Sequence, residues 1–294
     1  MKEALKNLLK PEYVYQPQRL LQRLVGAGRG SSSSGGQTKV RLPWGHEMTV
    51  NLSDDVGKTL ERLGVFELPV VEALFRTVGA GDMCLDVGAN IGAMTLAMAQ
   101  RVGPGGKVVA FEPHPVIFSE LQNNIKANSL GQVELRQLGC SSAAGTAQLE
   151  IPADFATNRG VAAIASGDST GEVIEIQIDS LDNAFPSEKI KVMKLDVEGH
   201  EISVLAGAKK LITERRLQHL VFEDHDVRHS EVIGFLKDHG YTIFRLERGR
   251  LGPVLLENLE TQLTNWEPPN FIATLDAGEL KKAYQRRGWL TFGG

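Results

Sequence analysis

The sequence predicts an α/β fold built on a doubly wound, mainly parallel sheet of about seven strands, with a hairpin insert. Three observations carry this. From Met83 onward, short apolar runs alternate with amphipathic stretches, the pattern of strand–helix–strand units packed in layers. The first run passes through a glycine-rich turn, Asp86-Val87-Gly88-Ala89-Asn90-Ile91-Gly92, directly into a helical stretch. The 294 residues, 42% hydrophobic and 23% charged, suffice for a large packed domain and exclude a disordered, collagen-like or coiled-coil chain.

Taken in order, residues 1–36 read as an N-terminal helical appendage and linker. Leu5, Leu8, Leu9, Leu20, Leu21 and Leu24 stand among lysines and arginines, and Pro11 and Pro17 break the pattern into short amphipathic pieces. The run Gly26 to Gly36, almost all glycine and serine, has nothing to bury and reads as a flexible linker that uncouples the appendage. Residues 37–294 form the main domain. Its pre-core, 37–80, holds a small hairpin over Val40–Leu52 and one helix over Leu60–Val78, where Leu68, Val71, Leu74 and Phe75 recur at helical spacing. The core, 81–246, has strands at 83–87, 107–111, 132–138, 191–196, 218–223 and 241–246, with helices at about 91–102, 115–128, 200–215 and 229–239. Between 139 and 190 an expected helix is replaced by two extra strands, 147–151 and 173–178, flanking a Gly/Ser/Thr-rich loop. A last strand at 270–274 lies in the C-terminal strand and tail, 247–294.

Composition narrows the function. The formal charge of −4, from 32 basic and 36 acidic residues, supplies no field to gather a polyanion, so no nucleic-acid partner is expected. Cys84 and Cys140 are far apart and form no CxxC pair, which signals neither disulfide nor zinc and fits a reducing cytoplasm. No apolar run approaches the roughly 20 residues of a membrane span, and Lys2, Lys6 and Lys10 interrupt any signal-peptide core.

The glycine turn points to a nucleotide-like ligand. A dinucleotide site needs a second glycine where pyrophosphate meets the helix N-terminus, and here Asn90 occupies that place. An acid at the strand tip, Asp86, is unfavourable for pyrophosphate but favourable for the sulfonium and ammonium of S-adenosyl-L-methionine. Glu112 ends the second strand, 20 residues beyond Gly92, where an acid can accept hydrogen bonds from both ribose hydroxyls.

With these residues the chain resembles the FkbM-type methyltransferase family. The resemblance rests on Asp86 to Gly92, on Ala110-Phe111-Glu112-Pro113 with Asn124 and Asn128 behind it, and on Val192-Met193-Lys194-Leu195-Asp196-Val197-Glu198-Gly199-His200-Glu201 followed by Val204-Leu205 and Gly207-Ala208. It covers roughly residues 60–245. It implies a Rossmann-like class I methyltransferase fold, S-adenosyl-L-methionine as cofactor and methyl transfer to oxygen, commonly on sugars or polyketide-like natural products. Asp86, Gly88, Ala89, Asn90, Gly92, Glu112, Pro113 and Cys140 are the expected cofactor-binding residues. The run Gln137-Leu138-Gly139-Cys140-Ser141 departs from the Ala-Leu-Ser-Asp-like run of relatives, which leaves the adenine partner open and Cys140 between pocket lining and core.

An alcohol nucleophile must lose a proton, and a carboxylate or histidine within hydrogen-bond reach would add roughly 10²–10⁴-fold to what positioning supplies. Asp196 ends the fourth strand at the topological switch point, with Glu198 and His200 just after it. Lys194, two residues back on the same strand face, either holds that carboxylate for catalysis or forms a structural ion network with Asp196 and Glu198. Glu223-Asp224-His225-Asp226 after the fifth strand offers His225 as a further base. Asp196, Glu198, His200 and His225 are therefore the catalytic candidates, no metal is assigned, and the expected partner is a small hydroxylated molecule. The rival functions are nucleic-acid or protein methylation, which wants a basic aromatic cleft, and a noncatalytic cofactor-binding module.

Overall fold

The computed structural model describes residues 10–19, 21, 36–151, 155, 163–164, 172–249, 252–263 and 268–293. Most of the N-terminal leucine pattern and most of the Gly/Ser run lie outside them. In chain order the described elements begin with helix α1 (Pro11–Tyr15), hairpin strands β1 (Gln37–Arg41) and β2 (Glu47–Asn51), and helices α2 (Asp55–Leu63) and α3 (Leu68–Thr77). The core follows as β3 (Met83–Val87), α4 (Ala93–Val102), β4 (Lys107–Phe111), α5 (Pro115–Ala127) and β5 (Val133–Arg136). The insert comprises β6 (Gly139–Cys140), β7 (Gly145–Ile151), β8 (Ala163–Ile164) and β9 (Glu172–Asp179). Then come α6 (Leu181–Ala184), β10 (Ile190–Leu195), α7 (Glu201–Gly207), α8 (Lys209–Thr213), β11 (Leu217–Glu223), α9 (Glu231–Asp238), β12 (Thr242–Arg248), β13 (Pro253–Leu256), β14 (Asn270–Thr274) and α10 (Ala277–Tyr284).

The main sheet runs β13-β12-β14-β11-β10-β3-β4-β5. Strands β5, β4, β3, β10 and β11 are parallel, and β14 lies antiparallel between β11 and β12. The chain thus winds outward from β3 through β4 and β5 and returns on the other side through β10, leaving a crevice over the strand ends at that reversal. The strands are apolar on both faces because helices cover both. Leu85, Val109, Met193 and Leu220 pack on one side, and their neighbours Cys84, Val108, Val192 and Val221 on the other.

Several elements differ from expectation. The sheet carries an eighth strand, β13, a hairpin partner of β12. The single helix expected over Leu60–Val78 is two, because Gly64 takes a left-handed conformation (φ 77°) that ends α2, and α3 restarts with a proline in its first turn. The stretch 200–215 likewise divides at Ala208 into α7 and α8. The insert strands β7 and β9 pair antiparallel from Gly145↔Ile178 to Ile151↔Glu172, within a separate four-stranded sheet ordered β6-β9-β7-β8. Helix α10 is capped by Asp276, whose carboxylate accepts from the Glu279 N–H at 2.8 Å.

Residues 11–19 of the N-terminal appendage are docked on the body. The Glu12 carboxylate pairs with the Arg248 guanidinium, both buried. Tyr15 stacks on Phe292 with ring centres 5.5 Å apart, and Arg19 donates to the carbonyls of Arg41 (2.7 Å) and Glu61 (3.0 Å). The C-terminal tail is fastened by a second buried pair: Arg76 Nε lies 2.7 Å from Glu72 Oε1. Arg76 also donates to the carbonyls of Ala283, Arg286 and Gly288, while Glu72 accepts from Leu290 and Thr291. Among the described residues no helix is long and apolar enough to cross a membrane.

Candidate functional site

A cavity of 230 Å³ opens over the ends of β3, β4 and β10. The turn after β3 gives it one wall. Gly88 has φ 80°, and a Cβ there would lie 1.8 Å from the Asp196 carbonyl oxygen, so only glycine lets the turn pack beside the end of β10. The Gly88 and Ala89 N–H groups donate to the Phe111 carbonyl at 3.1 and 2.9 Å, tying the turn to β4.

Glu112 closes this wall. Its Oε2 accepts from the Asn90 N–H and its Oε1 from the His114 N–H, both at 2.9 Å. Burial pushes its pKa up to about 7, opposed by those two bonds. Each carboxylate oxygen carries two lone pairs and spends one on the backbone, so two remain, one per oxygen, which suits a vicinal diol. The chemistry of this wall fits the ribose of a nucleoside cofactor and lacks the phosphate cradle of a dinucleotide site.

Behind it, His114 caps α5 through Nδ1 and stacks on Phe155 of the insert, ring centres 4.6 Å apart. Leu138, Gly139, Cys140, Leu149 and Ile164 extend the apolar side. Burial raises the Cys140 thiol well above its ordinary pKa, so it lines the cavity as a neutral group.

The turn after β10 forms the opposite wall. Lys194 Nζ lies 2.7 Å from Asp196 Oδ2 and 3.5 Å from the Gly88 carbonyl. Burial alone would lower the Lys194 pKa, but Asp196, Asp86 and Glu67 outweigh it and hold the ammonium above its usual range. Glu198 (φ 47°) and Gly199 (φ 84°) are both left-handed. Glu201 Oε1 accepts from the Val197 and Gly199 N–H groups at 3.3 and 3.2 Å, fixing the turn that presents Asp196, Glu198 and His200 to the cavity. His200 Nε2 lies 2.9 Å from Ser141 Oγ, and burial lowers its pKa, so the ring is neutral near pH 7.

Two further acids complete this side. Glu67, left-handed at φ 46° just before α3, is pushed to about pKa 8 by burial and by Asp196. Glu223 is pushed to about 7 by burial, Asp196 and Glu198. Among the described residues no three His, Cys, Asp or Glu side chains form a metal-holding group.

Of the residues singled out in the sequence, Gly88, Asn90, Glu112, Pro113, Cys140, Asp196, Glu198 and His200 line this cavity. Four do not. Asp86 is fully buried and its Oδ2 accepts from Thr95 Oγ1 at 2.5 Å, so its carboxylate anchors α4 from behind the wall. Ala89 is buried within the turn, and Gly92 faces α5, where a Cβ would lie 2.7 Å from Leu121 Cδ1. His225 is 78% exposed, its Nε2 2.6 Å from Glu223 Oε1. Sequence reasoning missed Val56, Phe66 and Glu67 from the pre-core and Pro268 from the loop before β14, none of which belongs to a motif. Asn124 and Asn128 prove to be fasteners: Asn124 bonds the Thr49 backbone and the Ile91 carbonyl, and Asn128 the Glu47 backbone, joining β2 to α5.

The family model described as the Methyltransferase FkbM domain matches residues 86–243. The chain is 32% identical over 195 residues to the 31-O-demethyl-FK506 methyltransferase FkbM of Streptomyces tacrolimicus, covering 55% of this chain and 74% of that one. It is 30% identical over 230 residues to methyltransferase sdnD of Sordaria araneosa, covering 63% and 88%. It is 33% identical over 141 residues to the hexuronic acid methyltransferase AglP of Haloferax volcanii, covering 48% and 56%. The matched segment holds the Glu112 wall, the β10 turn and the switch point between them, and the chain belongs to the FkbM family of S-adenosylmethionine-dependent methyltransferases.

Proposed function

We propose that this methyltransferase acts on a hydroxyl oxygen of a small molecule such as a sugar or polyketide-like natural product, in the cavity over β3, β4 and β10. The observation that carries the reading is that one cavity brings the Glu112 carboxylate, with a lone pair left on each oxygen, together with Asp196 and His200 on the opposite wall. Two relatives point the same way, since their names specify a 31-O-demethyl substrate and a hexuronic acid.

S-adenosyl-L-methionine supplies, when bound, an electrophilic methyl group on a sulfonium. Glu112 would take its ribose hydroxyls, Gly88 and Asn90 would shape the wall, and Pro113 and Cys140 would line the apolar side. Holding acceptor and methyl in line supplies most of the rate, up to ~7–11 kcal/mol of the barrier. Of the two proton acceptors, Asp196 is engaged with Lys194 and serves to orient the acceptor, whereas the neutral imidazole of His200 is free to take the hydroxyl proton. Among the described residues the cavity lining carries no Lys or Arg side chain, so it offers a phosphodiester no counter-charge, which argues against nucleic acid as the acceptor.

The test is a mass-spectrometric assay of the purified protein with the cofactor and separate pools of hexuronic acids, neutral sugars, macrolide alcohols, RNA and protein. A single methyl on an oxygen of a small molecule, with an equal amount of S-adenosylhomocysteine, is the expected result. Methylation confined to RNA or protein, or on nitrogen or carbon, overturns the reading.

A further inference from the structure

We propose that Ser141 is a positioning residue for His200: its hydroxyl oxygen accepts a hydrogen bond from the Nε2–H of the ring, leaving Nδ1 as the unprotonated nitrogen that takes the acceptor's proton. The inference rests on the O-methyltransferase reading above and deepens it.

The contact is short and its two sides are fixed. His200 Nε2 and Ser141 Oγ are 2.9 Å apart, the ring's one side-chain hydrogen bond among the described residues. Ser141 is 6% exposed, and its N–H donates to the Asp179 carbonyl at 2.8 Å, continuing the pairing of β6 with β9. Its carbonyl meets Gly207 so closely that a Cβ there would lie 1.9 Å from the oxygen. The helix bearing His200 at its N-terminal cap is therefore packed without an intervening side chain against the segment bearing Ser141. The backbones that carry the two side chains are thereby held side by side.

The direction of the bond follows from chemistry. A serine hydroxyl can donate to a bare ring nitrogen or accept from a protonated one, and a neutral imidazole has one nitrogen of each kind. A general base needs its lone pair on the nitrogen that the protein leaves free, which is Nδ1; Nε2 must then carry the hydrogen and donate to Ser141 Oγ. In the transfer, the new O–CH₃ bond forms as the S–CH₃ pair returns to sulfur. The acceptor's proton passes to Nδ1, giving an imidazolium whose Nε2–H bond to Ser141 is strengthened by the charge. Glu201 on the same helix is the charged group that bears on the ring, raising its proton affinity against the burial that lowers it. Cys140 and Ser141, opposite it, are neutral.

The test needs no acceptor. In full-length protein labelled with ¹⁵N-histidine, the His200 signals are assigned by their loss in His200→Gln and titrated in wild type, Ser141→Ala and Ser141→Thr. The expected wild-type ring is neutral with hydrogen on Nε2. Ser141→Ala should lower its proton affinity by about three- to tenfold, because the lost bond is stronger to the charged ring, and Ser141→Thr should restore it. A midpoint that stays put or rises in Ser141→Ala overturns the proposal. Hydrogen on Nδ1 in the wild type also overturns it, and that observation stands even if Ser141→Ala fails to fold. A chain that gives this signature but methylates no oxygen would contradict the proposed function and leave the pairing intact.

Discussion

Glu112 Oε2 accepts the Asn90 N–H at 2.9 Å, so the acid at the end of β4 latches the glycine turn at the end of β3. The proposed function gives the same carboxylate the ribose of the cofactor. Glu112→Ala should weaken binding of S-adenosyl-L-methionine by about 1.5–3 kcal/mol, the usual loss for hydrogen bonds to a charged group. Titration calorimetry giving an unchanged dissociation constant would remove Glu112 from that role.

The pH dependence of binding follows from the Glu112 pKa of about 7. Its anionic form accepts both diol hydrogen bonds, so below that value a proton must first be lost. Affinity should fall by up to about tenfold per pH unit below 7 and level off above it. Glu112→Gln should flatten the slope, whereas a wild-type affinity that does not change with pH would contradict it.

Glu67 should cost stability in alkali. Its pKa is raised from 4.5 to about 8, so the folded state holds a proton that the unfolded chain has released. The resulting stability is complete below the unfolded value and is lost as pH rises through the folded one. Glu67→Gln should therefore raise Tm at about pH 9 and change it little at about pH 4, with roughly 2–4 °C for each kcal/mol regained. Equal Tm differences at both pH values would show that the carboxyl is not strained as an anion.

Glu12→Ala should destabilise the fold by about 3–5 kcal/mol, the usual loss when one partner of a buried ion pair, here with Arg248, is removed. Urea denaturation reads this directly. A midpoint equal to wild type would mean that residues 11–19 are held loosely.

The core of the fold was legible because its signals are local. An apolar run that ends in Asp86, Gly88 and Gly92 specifies β3 and its turn, and apolar strands such as Val108–Phe111 announce burial on both faces. What the sequence hid depends on long-range contacts. Glu67 reaches the cavity only because Gly64 breaks the helix expected there, and its neighbours Asp196 and Glu223 come from β10 and β11. Asp86 looked like a ligand for a cationic cofactor because it ends a strand. It lies outside the cavity lining, and its Oδ2 accepts from Thr95, nine residues on, in the first turn of α4. Ser141 stands at the end of the run that departs from the relatives, and its link to His200 spans 59 residues. Glu12 and Arg248, on either side of the whole core, could not be paired by spacing at all.

The most direct measurement is single-turnover methyl transfer by wild type and His200→Gln, with product and S-adenosylhomocysteine read by mass spectrometry and the cofactor dissociation constant measured on the same preparations. The expected result is one methyl on a hydroxyl oxygen in wild type, and in His200→Gln a rate lower by roughly 10²–10⁴-fold with cofactor affinity little changed. A methyl on any other atom, or a His200→Gln rate close to wild type, would contradict oxygen methylation with His200 as its base.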